Sequence, residues 1–413
     1  MSFIKYNLTE IPGFNDNDTS SNLLKVNNTT YNNNSYSVIR YDKNFLAYDL
    51  IPTYGLCRSV IVNSENKVVS FAPPKSIASD KFIQNYDIHA DGVVAEEFVE
   101  GTMINVFWDP SIGLTGGWEI ATRNTIGATA SFFKDTKEGK TKTFREMFLE
   151  AAEQNKLVLH MLNPLYCYSF VLQHPENRIV VPFKKPQLYL TAVYSIENID
   201  NNIFVYAYDT QIMKPGFEMG NVTIQFPEIY QCNTYSELIE KYASMNTSYN
   251  IVGVMLHNRT TGERSKIRNP VYEQVRNLRG NQPKLQYQYL SLRKEGKVAD
   301  FIRFYPEKKK ELSEFRDQVH LFTNTLFGNY KACYIKKEKP LKEFPDQFRT
   351  HMFNIHQIFL NELREKGEFI TNTIVQKYVN ELHPSLLMFC LNFQMRKRNV
   401  DVIESTFSTF STF

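Results

Sequence analysis

The spacing of apolar residues changes once along the chain, near residue 275, and this change limits the folds that the chain can adopt. Before it, apolar and polar residues mostly alternate, which is typical of strands that bury one face. After it, apolar residues recur every three or four positions, which is typical of helices. With 413 residues the chain can build two or three domains with cores of their own. The sequence therefore predicts an α+β protein in which a β-rich domain precedes an all-helical one.

Two hairpins are predicted in the β-rich part. The stretch RSVIVNSENKVVSFA (58–72) alternates, breaks at the turn NSEN and alternates again. TMINVFWD (102–109) and WEIATRN (118–124) flank a glycine-rich turn and predict the second hairpin. The helix TFREMFLEAAEQN (143–155) is the one clear helix expected before residue 230. Further strands are predicted over KLVLHMLN (156–163), RIVVPF (178–183), QLYLTAVYSI (187–196), NIFVYAYD (202–209) and NIVGVMLHN (250–258).

Three amphipathic helices are expected in the second part. They are KKELSEFRDQVHLFTNTLF (309–327), PDQFRTHMFNIHQIFLNELREKG (345–367) and NTIVQKYVNEL (372–382), the last of which stops before Pro384. Their apolar stripes are interpreted as core. The predicted division is a polar lead-in over residues 1–45, loosely packed with short strands, a β-rich domain over 46–275, a helical domain over 276–400 and a low-complexity tail over 401–413 that is disordered or a short interaction tail.

Composition excludes several classes of protein. The longest uncharged apolar run, LLMFCLNF (386–393), is too short to span a bilayer, and no secretory signal opens the sequence. Five cysteines stand singly, which argues against a disulfide framework or a structural zinc site and favours the cytoplasm. A net charge of +3 does not by itself imply a nucleic-acid partner. Frequent Asn and Lys are typical of an AT-rich genome, such as that of a virus. The expected location is the cytoplasm, which for a viral protein is the cytoplasm of the host cell.

The order of five motifs resembles the phage-type ATP-dependent RNA ligases of the covalent nucleotidyltransferase superfamily. The opening hairpin of that family, whose arginine and Pro-Lys pair reach the nucleotide phosphates, is similar to LCRSVIVN and KVVSFAPPKS. Its nucleophile strand, Lys-x-Asp-Gly, is similar to FVEGTMINVF. Its later motifs are similar to WEIATRNTIGA, YSFVLQHPENRIVV and NIVGVMLHNRTTGERSKIRNP. The likeness covers residues 50 to 275 and implies a β-rich nucleotidyltransferase (ATP-grasp-like ligase) domain followed by an all-helical C-terminal domain.

The resemblance implies a nucleotide-binding set in this chain. Its members are Arg58, Glu100, Gly101, Arg123 in place of a lysine, Phe170, Gly253, Lys266, and Arg268 in place of a second lysine, together with Lys75. Phe170 either packs against the adenine ring or belongs to the core, and Glu100 either binds the metal or ribose or caps its turn. The alternative for Arg58, Arg123, Lys266 and Arg268 is an ordinary solvent-facing charge. Three positions depart from the family. Phe98 stands where the family has its nucleophilic lysine, and Ser169 and Val252 stand where it has acids. Cations that face phosphate are therefore retained, while carboxylates that face metal are not.

A relocated nucleophile would keep the chemistry possible. Lys75 follows two prolines, which hold its backbone rigidly, and in the family the matching lysine already points at the phosphates. Lys75 is therefore either the new nucleophile or a phosphate clamp. His89 in HADG is a weaker substitute and is expected to lie in a turn. Cys57 beside Arg58 is a further one, although a small residue inside a hairpin is the simpler interpretation.

The expected function is that of an RNA ligase-like nucleotidyltransferase. It would use ATP, with Mg²⁺ or Mn²⁺ if active, to form a covalent protein–AMP intermediate at Lys75 and join RNA 5′-phosphate to 3′-hydroxyl ends. The alternative is an inactive pseudo-ligase that binds nucleotide or RNA as a scaffold. The basic, tyrosine-containing stretch 264–310 suits phosphates and stacked bases, or is a solvated helix face. Arg276 and Arg279 within it are assigned to an RNA path; metal ligands and the oligomeric state are not predicted.

Overall fold

The protein was analysed as a computed structural model that describes residues 2–14, 23–131, 141–199 and 202–395. The chain divides into two compact units, Met1–Arg276 and Asn277–Phe413. In the described residues the first unit is built mainly of antiparallel strands and the second of helices. The prediction of a β-rich part followed by a helical part is confirmed.

Within the described ranges of the first unit, the strands form three antiparallel sheets. The strands are β1 (Ser2–Asn7), β2 (Leu24–Tyr31), β3 (Asn34–Tyr41), β4 (Val60–Val62), β5 (Val68–Phe71), β6 (Val93–Glu97), β7 (Thr102–Asp109), β8 (Gly117–Ala121), β9 (Tyr166–Gln173), β10 (Gln187–Ile199), β11 (Asn202–Tyr208), β12 (Ile229–Tyr230), β13 (Gly253–Asn258) and β14 (Arg264–Arg268). The sheet orders are β1-β11-β10-β9-β7-β8, β2-β3-β4-β5 and β12-β6-β13-β14.

The six-stranded sheet lies between two hydrophobic cores, one on each of its faces. Strand residues alternate between its faces, so Phe107 packs toward the β2–β5 sheet while its neighbour Val106 packs toward the opposite face. Helix α3 (Phe144–Gln154) covers that opposite face with Met147 and Phe148. The third sheet packs on α2 (Ser79–Asn85) and α5 (Tyr235–Tyr242) around its own core.

The remaining helices lie between strands of the first unit, across the end of that unit in sequence, and throughout the second. They are α1 (Ile51–Tyr54), α4 (Thr210–Met219), α6 (Pro270–Arg279), α7 (Leu285–Lys294), α8 (Val298–Phe304), α9 (Lys309–Tyr330), α10 (Asp346–Ile358), α11 (Asn372–Glu381) and α12 (Pro384–Leu391). Most residues of the predicted stripes are buried, including Val319, Leu326, Met352 and Ile355. The predicted helix 345–367 is less regular than expected, because α10 continues into a π-helical segment (Phe359–Leu363) and a 3-10 turn before Gly367.

Several local predictions were wrong. Residues 156–163 and 178–183 form a 3-10 turn and bends instead of strands. The expected lead-in is not loosely packed, because β1 joins the six-stranded sheet and Leu8 and Tyr36 are buried in its core. Helix α4 was missed, since it contains Pro215, which is unfavourable inside a helix. The predicted tail lies outside the described residues.

The tyrosines of the basic stretch are not all available for stacking. Tyr272, Tyr289 and Tyr305 are buried in the structure. Those three side chains therefore contribute to cores, which corrects the expectation that they stack on bases. Among the described residues no helix is long and apolar enough to cross a membrane.

Candidate functional site

Lys75 lies in an extended segment, residues 72–77, that hydrogen bonds hold along its length. The Ala72 N–H donates to the Ser59 carbonyl at 3.1 Å, and the Lys75 N–H donates to the Gly55 carbonyl at 2.8 Å. The Ile77 N–H donates to the Arg264 carbonyl at 2.9 Å, next to the start of β14. This segment joins the β2–β5 sheet to the third sheet and fixes the Lys75 backbone between them.

Strand β14 presents two different faces. The Ser265 side chain is fully buried, where its hydroxyl donates to the Ile77 carbonyl at 2.9 Å, and Ile267 packs against the core of the third sheet. Alternation then places the side chains of Arg264, Lys266 and Arg268 together on the opposite face. The same alternation, counted along the sequence around Ile267, predicts that Lys266 and Arg268 share one face of a strand.

Arg58 and Arg123 lie beside Lys75. The Arg123 Nε donates to the Arg58 carbonyl at 3.3 Å, and its guanidinium lies 5.2 Å from the ring centre of Tyr41. Burial, followed by the charges of Arg58 and Arg123, lowers the pKa of Lys75. Burial, followed by the charges of Arg264 and Arg123, lowers the pKa of Arg58 to about 10. These three cations therefore share one region.

Lys266 connects that region to β14. Burial, followed by the charges of Arg268, Lys75, Arg58 and Arg264, lowers its pKa to about 8. A cation whose pKa is lowered by so many neighbouring cations lies in a strongly positive potential. The structure thus brings five of the sequence-predicted residues together: Arg58, Lys75, Arg123, Lys266 and Arg268.

Two further arginines were missed from the sequence. Arg264 lies two residues before Lys266, so strand alternation could have placed it on the same face. Arg40 lies on β3, and its pKa is lowered by burial and then by the charge of Arg123. Its position depends on the pairing of β3 with β4, which no local motif reveals. We call the seven side chains the cation cluster: Arg40, Arg58, Lys75, Arg123, Arg264, Lys266 and Arg268.

The cation cluster contains little compensating negative charge. Among the residues that the structure describes, Arg268 is its one member paired with a carboxylate, that of Glu273. The guanidinium of Arg268 also lies 5.6 Å from the ring centre of Phe98, the residue at the family's nucleophile position. A group of cations without acidic partners is electrostatically suited to bind a polyanion.

The Glu100 carboxyl stabilises the fold by binding backbone N–H groups. Its side chain is buried and accepts hydrogen bonds from the N–H groups of Val180 at 2.7 Å and Val181 at 3.1 Å. Burial raises the pKa of this carboxyl to about 7, although the two backbone hydrogen bonds act in the opposite direction. The carboxyl therefore anchors the segment that was wrongly predicted as a strand. Glu100 also lines a small cavity together with Phe98 and Gly253.

The two glycines of the predicted set are required by the backbone. Gly101 has a φ of +149° and Gly253 a φ of +134°, conformations that side chains rarely allow. A Cβ atom on Gly101 would clash with the Leu172 carbonyl oxygen, and one on Gly253 with that of Ile267. Both glycines therefore permit close approach of neighbouring strands.

Phe170 does not face the candidate site. Its side chain is fully buried in the core between the six-stranded sheet and α3, where its ring lies 6.0 Å from that of Phe148. The assignment of Phe170 to the adenine ring is therefore corrected to a core residue. Cys57 is likewise fully buried, and burial raises the pKa of its thiol to about 12, which removes it as a reactive thiolate.

The acids nearest in sequence to the motifs make contacts elsewhere. Asp109 is buried and accepts hydrogen bonds from Tyr36 at 2.8 Å and Asn63 at 2.8 Å. Glu96 lies 2.9 Å from His257. Glu176 pairs with Lys142 at 2.7 Å. Within the described ranges no group of three or more His, Cys, Asp or Glu side chains is placed to hold a metal ion.

Arg276 and Arg279 lie on α6. Arg276 is 3.3 Å from Glu273 on the same helix. Glu273 also pairs with Arg268, so it connects the cation cluster to α6. His89 lies in a turn, where its ring contacts the Asn233 carbonyl at 3.0 Å.

Comparison with known proteins shows similarity to an RNA ligase. The RNA ligase of Rhodothermus phage RM378 is 24% identical over 277 residues, which are 61% of this chain and 61% of that protein. The immediate-early protein ICP-46 homolog of Invertebrate iridescent virus 6 is 24% identical over 319 residues, which are 70% of this chain and 65% of that protein. The chain thus spans less than two thirds of the length of each relative. Both relatives are viral, and the resemblance to RNA ligases is confirmed.

Solved structures of the Naegleria gruberi RNA ligase are also similar to the chain. A mutant with ATP and Mn has a TM-score of 0.32 and 12% identity, covering 45% of this chain and 51% of its own. An apo mutant of the R4a ligase has a TM-score of 0.35 and 11% identity, covering 60% of this chain and 76% of its own. No family model matches the sequence.

Proposed function

We propose that the cation cluster binds the phosphates of ATP and of RNA 5′ ends, and that the chain is an RNA ligase-like nucleotidyltransferase. The observation that carries this proposal is the grouping of seven cations with one carboxylate partner among the described residues. Arginine and lysine are the side chains that bind phosphate in proteins, and their mutual repulsion disfavours such a group unless an anion binds there. The similarity to a phage RNA ligase supports the choice of RNA as a ligand, and the choice of ATP follows from the motif resemblance.

Lys75 is the proposed nucleophile. Its unprotonated amine would attack the α-phosphorus of ATP, forming an N–P bond while the P–O bond to pyrophosphate breaks and the amine proton passes to water. Burial and two guanidiniums lower the pKa of Lys75, which increases the unprotonated fraction near neutral pH. An oxygen of the RNA 5′-phosphate would then displace Lys75 from the AMP, and an RNA 3′-hydroxyl would displace AMP in turn.

The neighbouring cations would stabilise charge during these steps. Lys266, Arg58 and Arg123 all influence each other or Lys75 electrostatically, so negative charge developing on phosphoryl oxygens would be met from several directions. The RNA would continue past β14 along α6, where Arg276 and Arg279 are the proposed phosphate contacts.

The family resemblance implies a divalent metal that neutralises phosphate charge. The described side chains do not fit such a site, because the acids near the motifs are engaged with His257, Lys142 and backbone N–H groups. The proposed steps therefore use no metal ion held by the protein.

A second candidate is non-covalent binding of nucleotide or RNA, as in a pseudo-ligase. The specific observation in its favour is Phe98, whose ring contacts Arg268 at the position where the family has its lysine. On this account Lys75 is a phosphate clamp. Both candidates use the cation cluster, but only the first leaves AMP attached to the protein.

Covalent labelling separates the two candidates. The full chain is incubated with ATP labelled at the α-phosphate, with and without Mg²⁺ or Mn²⁺, and then denatured. For the nucleotidyltransferase we expect retained label that Lys75→Ala abolishes. The matched control is Lys67→Ala, since Lys67 is 53% exposed and pairs with Glu65 away from the cluster.

Calorimetric titration with ATP completes the experiment. Binding without retained label would establish the pseudo-ligase, and label that persists in Lys75→Ala would exclude Lys75 as the nucleophile. If neither label nor ATP binding were observed, the phosphate site itself would be wrong.

A further inference from the structure

Two of the three positions that depart from the family, Ser169 and Val252, are neutral and buried. The Ser169 hydroxyl donates to Asn105 Oδ1 at 2.9 Å inside the core, and the Val252 side chain is 6% exposed. Neither position offers a carboxylate to a metal ion. The Glu100 carboxyl, two residues after Phe98, is held by the N–H groups of Val180 and Val181.

The cation cluster contains more positive charge than the resemblance accounts for. Arg40 and Arg264 match none of the family's phosphate positions, yet both act within the same cluster. The Nε atoms of both are buried and have no hydrogen-bond partner among the described residues. A buried guanidinium with an unused donor is stabilised when an acceptor such as a phosphate oxygen reaches it.

The extra arginines and the missing carboxylates both make the electrostatic potential of the site more positive. A carboxylate site attracts a divalent cation, whereas a site of several cations repels one. Guanidinium groups bind phosphate oxygens with two parallel hydrogen bonds and can neutralise the charge that a metal ion otherwise neutralises. The substitutions and the added arginines therefore both favour a phosphate ligand without a bound divalent cation.

We propose that in this chain the arginines of the cation cluster, Arg40 and Arg264 among them, replace the divalent metal, so that the site binds a nucleoside triphosphate as the metal-free anion. This inference rests on the proposed phosphate-binding function and specifies the form of the ligand. Arg264 is the most informative member, because its charge lowers the pKa of both Arg58 and Lys266.

The test compares ATP binding with and without metal. The full chain, stripped of metal with EDTA, is titrated with ATP by calorimetry in EDTA and again in excess Mg²⁺ and in excess Mn²⁺. We expect the dissociation constant in EDTA to equal that in metal within about threefold, or to be lower. A loss of about tenfold or more on removing metal would overturn the inference while leaving the phosphate site in place.

A charge-removing variant gives an independent measurement. Arg264→Gln should weaken ATP binding in EDTA by about tenfold or more, and by less in Mg²⁺, because a metal ion then compensates for the lost charge. Equal weakening in both conditions would contradict the replacement of metal by arginine. Arg40→Gln provides the same comparison if Arg264→Gln does not fold, and Lys67→Gln is the exposed control. No ATP binding in any condition would overturn the proposed function as well.

Discussion

Replacing Lys266 with methionine should stabilise the protein and weaken its ligand binding. Lys266 is partly buried among cations, so its charged form is disfavoured in the folded state. Methionine keeps most of the apolar stem of lysine and removes the charge. The same side chain is therefore expected to oppose folding and to support phosphate binding.

The size of the effect follows from the pKa of Lys266. A fall from 10.5 to about 8 corresponds to a penalty of about 3 kcal/mol on the charged folded state. Allowing for imperfect packing of methionine, we expect Lys266→Met to increase the free energy of unfolding by about 1–2 kcal/mol at pH 7. That increase should raise the Tm of the first unit by roughly 2–6 °C.

The destabilising effect of the Lys266 charge depends on pH. Below pH 8 the lysine is charged in both the folded and unfolded states, so the full penalty is present. Between pH 8 and 10.5 the folded state loses its proton first, and the penalty fades as pH rises. The stabilisation by Lys266→Met should therefore be largest at pH 7 and reduced to about a quarter of that value at pH 10.

Calorimetric unfolding at pH 7 and pH 10 measures this effect, with ATP titration of the same samples. ATP affinity should fall about tenfold to a hundredfold, as for the loss of a charged hydrogen bond. Lys67→Met, at an exposed lysine, should leave both quantities unchanged. A Tm at pH 7 that is equal to or below that of the parent would refute the argument from desolvation and cation repulsion.

Two further predictions concern the backbone and the RNA path. Gly253→Ala should lower the free energy of unfolding by more than about 2 kcal/mol, because its Cβ would meet the Ile267 carbonyl oxygen; Gly216→Ala, which meets no atom within 4 Å, is the urea-denaturation control and should have a small effect. Changing Arg276 and Arg279 to alanine should preserve ATP affinity and reduce the salt dependence of RNA binding by about 0.7 per lost phosphate contact. A lower Tm with an unchanged salt slope would instead make these arginines structural.

Strong local patterns predicted much of the fold. The hairpin of β4 and β5 was read correctly, because alternation and the NSEN turn agree. The apolar pattern of residues 178–183 is equally typical of a strand. The Val180 and Val181 N–H groups nevertheless donate hydrogen bonds to the Glu100 carboxyl and not to a neighbouring strand. That contact joins residues 80 positions apart, so no local pattern could indicate it.

The candidate site was predictable where it depended on alternation or motif order. Lys266 and Arg268 were placed on one face of a strand by counting residues, and Arg264 could have been placed there by the same rule. Arg40 could not, because only tertiary packing brings it close to Arg123. Phe170 was misassigned since an apolar residue on a strand can face either a ligand or a core, and here it faces the core.

The segment over residues 72–77 also determines how the site responds to mutation. Its contacts with Ser59, Gly55 and Arg264 are made by main-chain atoms on both sides, which every residue type except proline supplies. Substitution of Ser59 or Arg264 leaves the carbonyl acceptors in place, whereas insertion or deletion of one residue shifts the donors out of register. The distance between the two sheets at Lys75 is therefore encoded by chain length more than by side-chain identity.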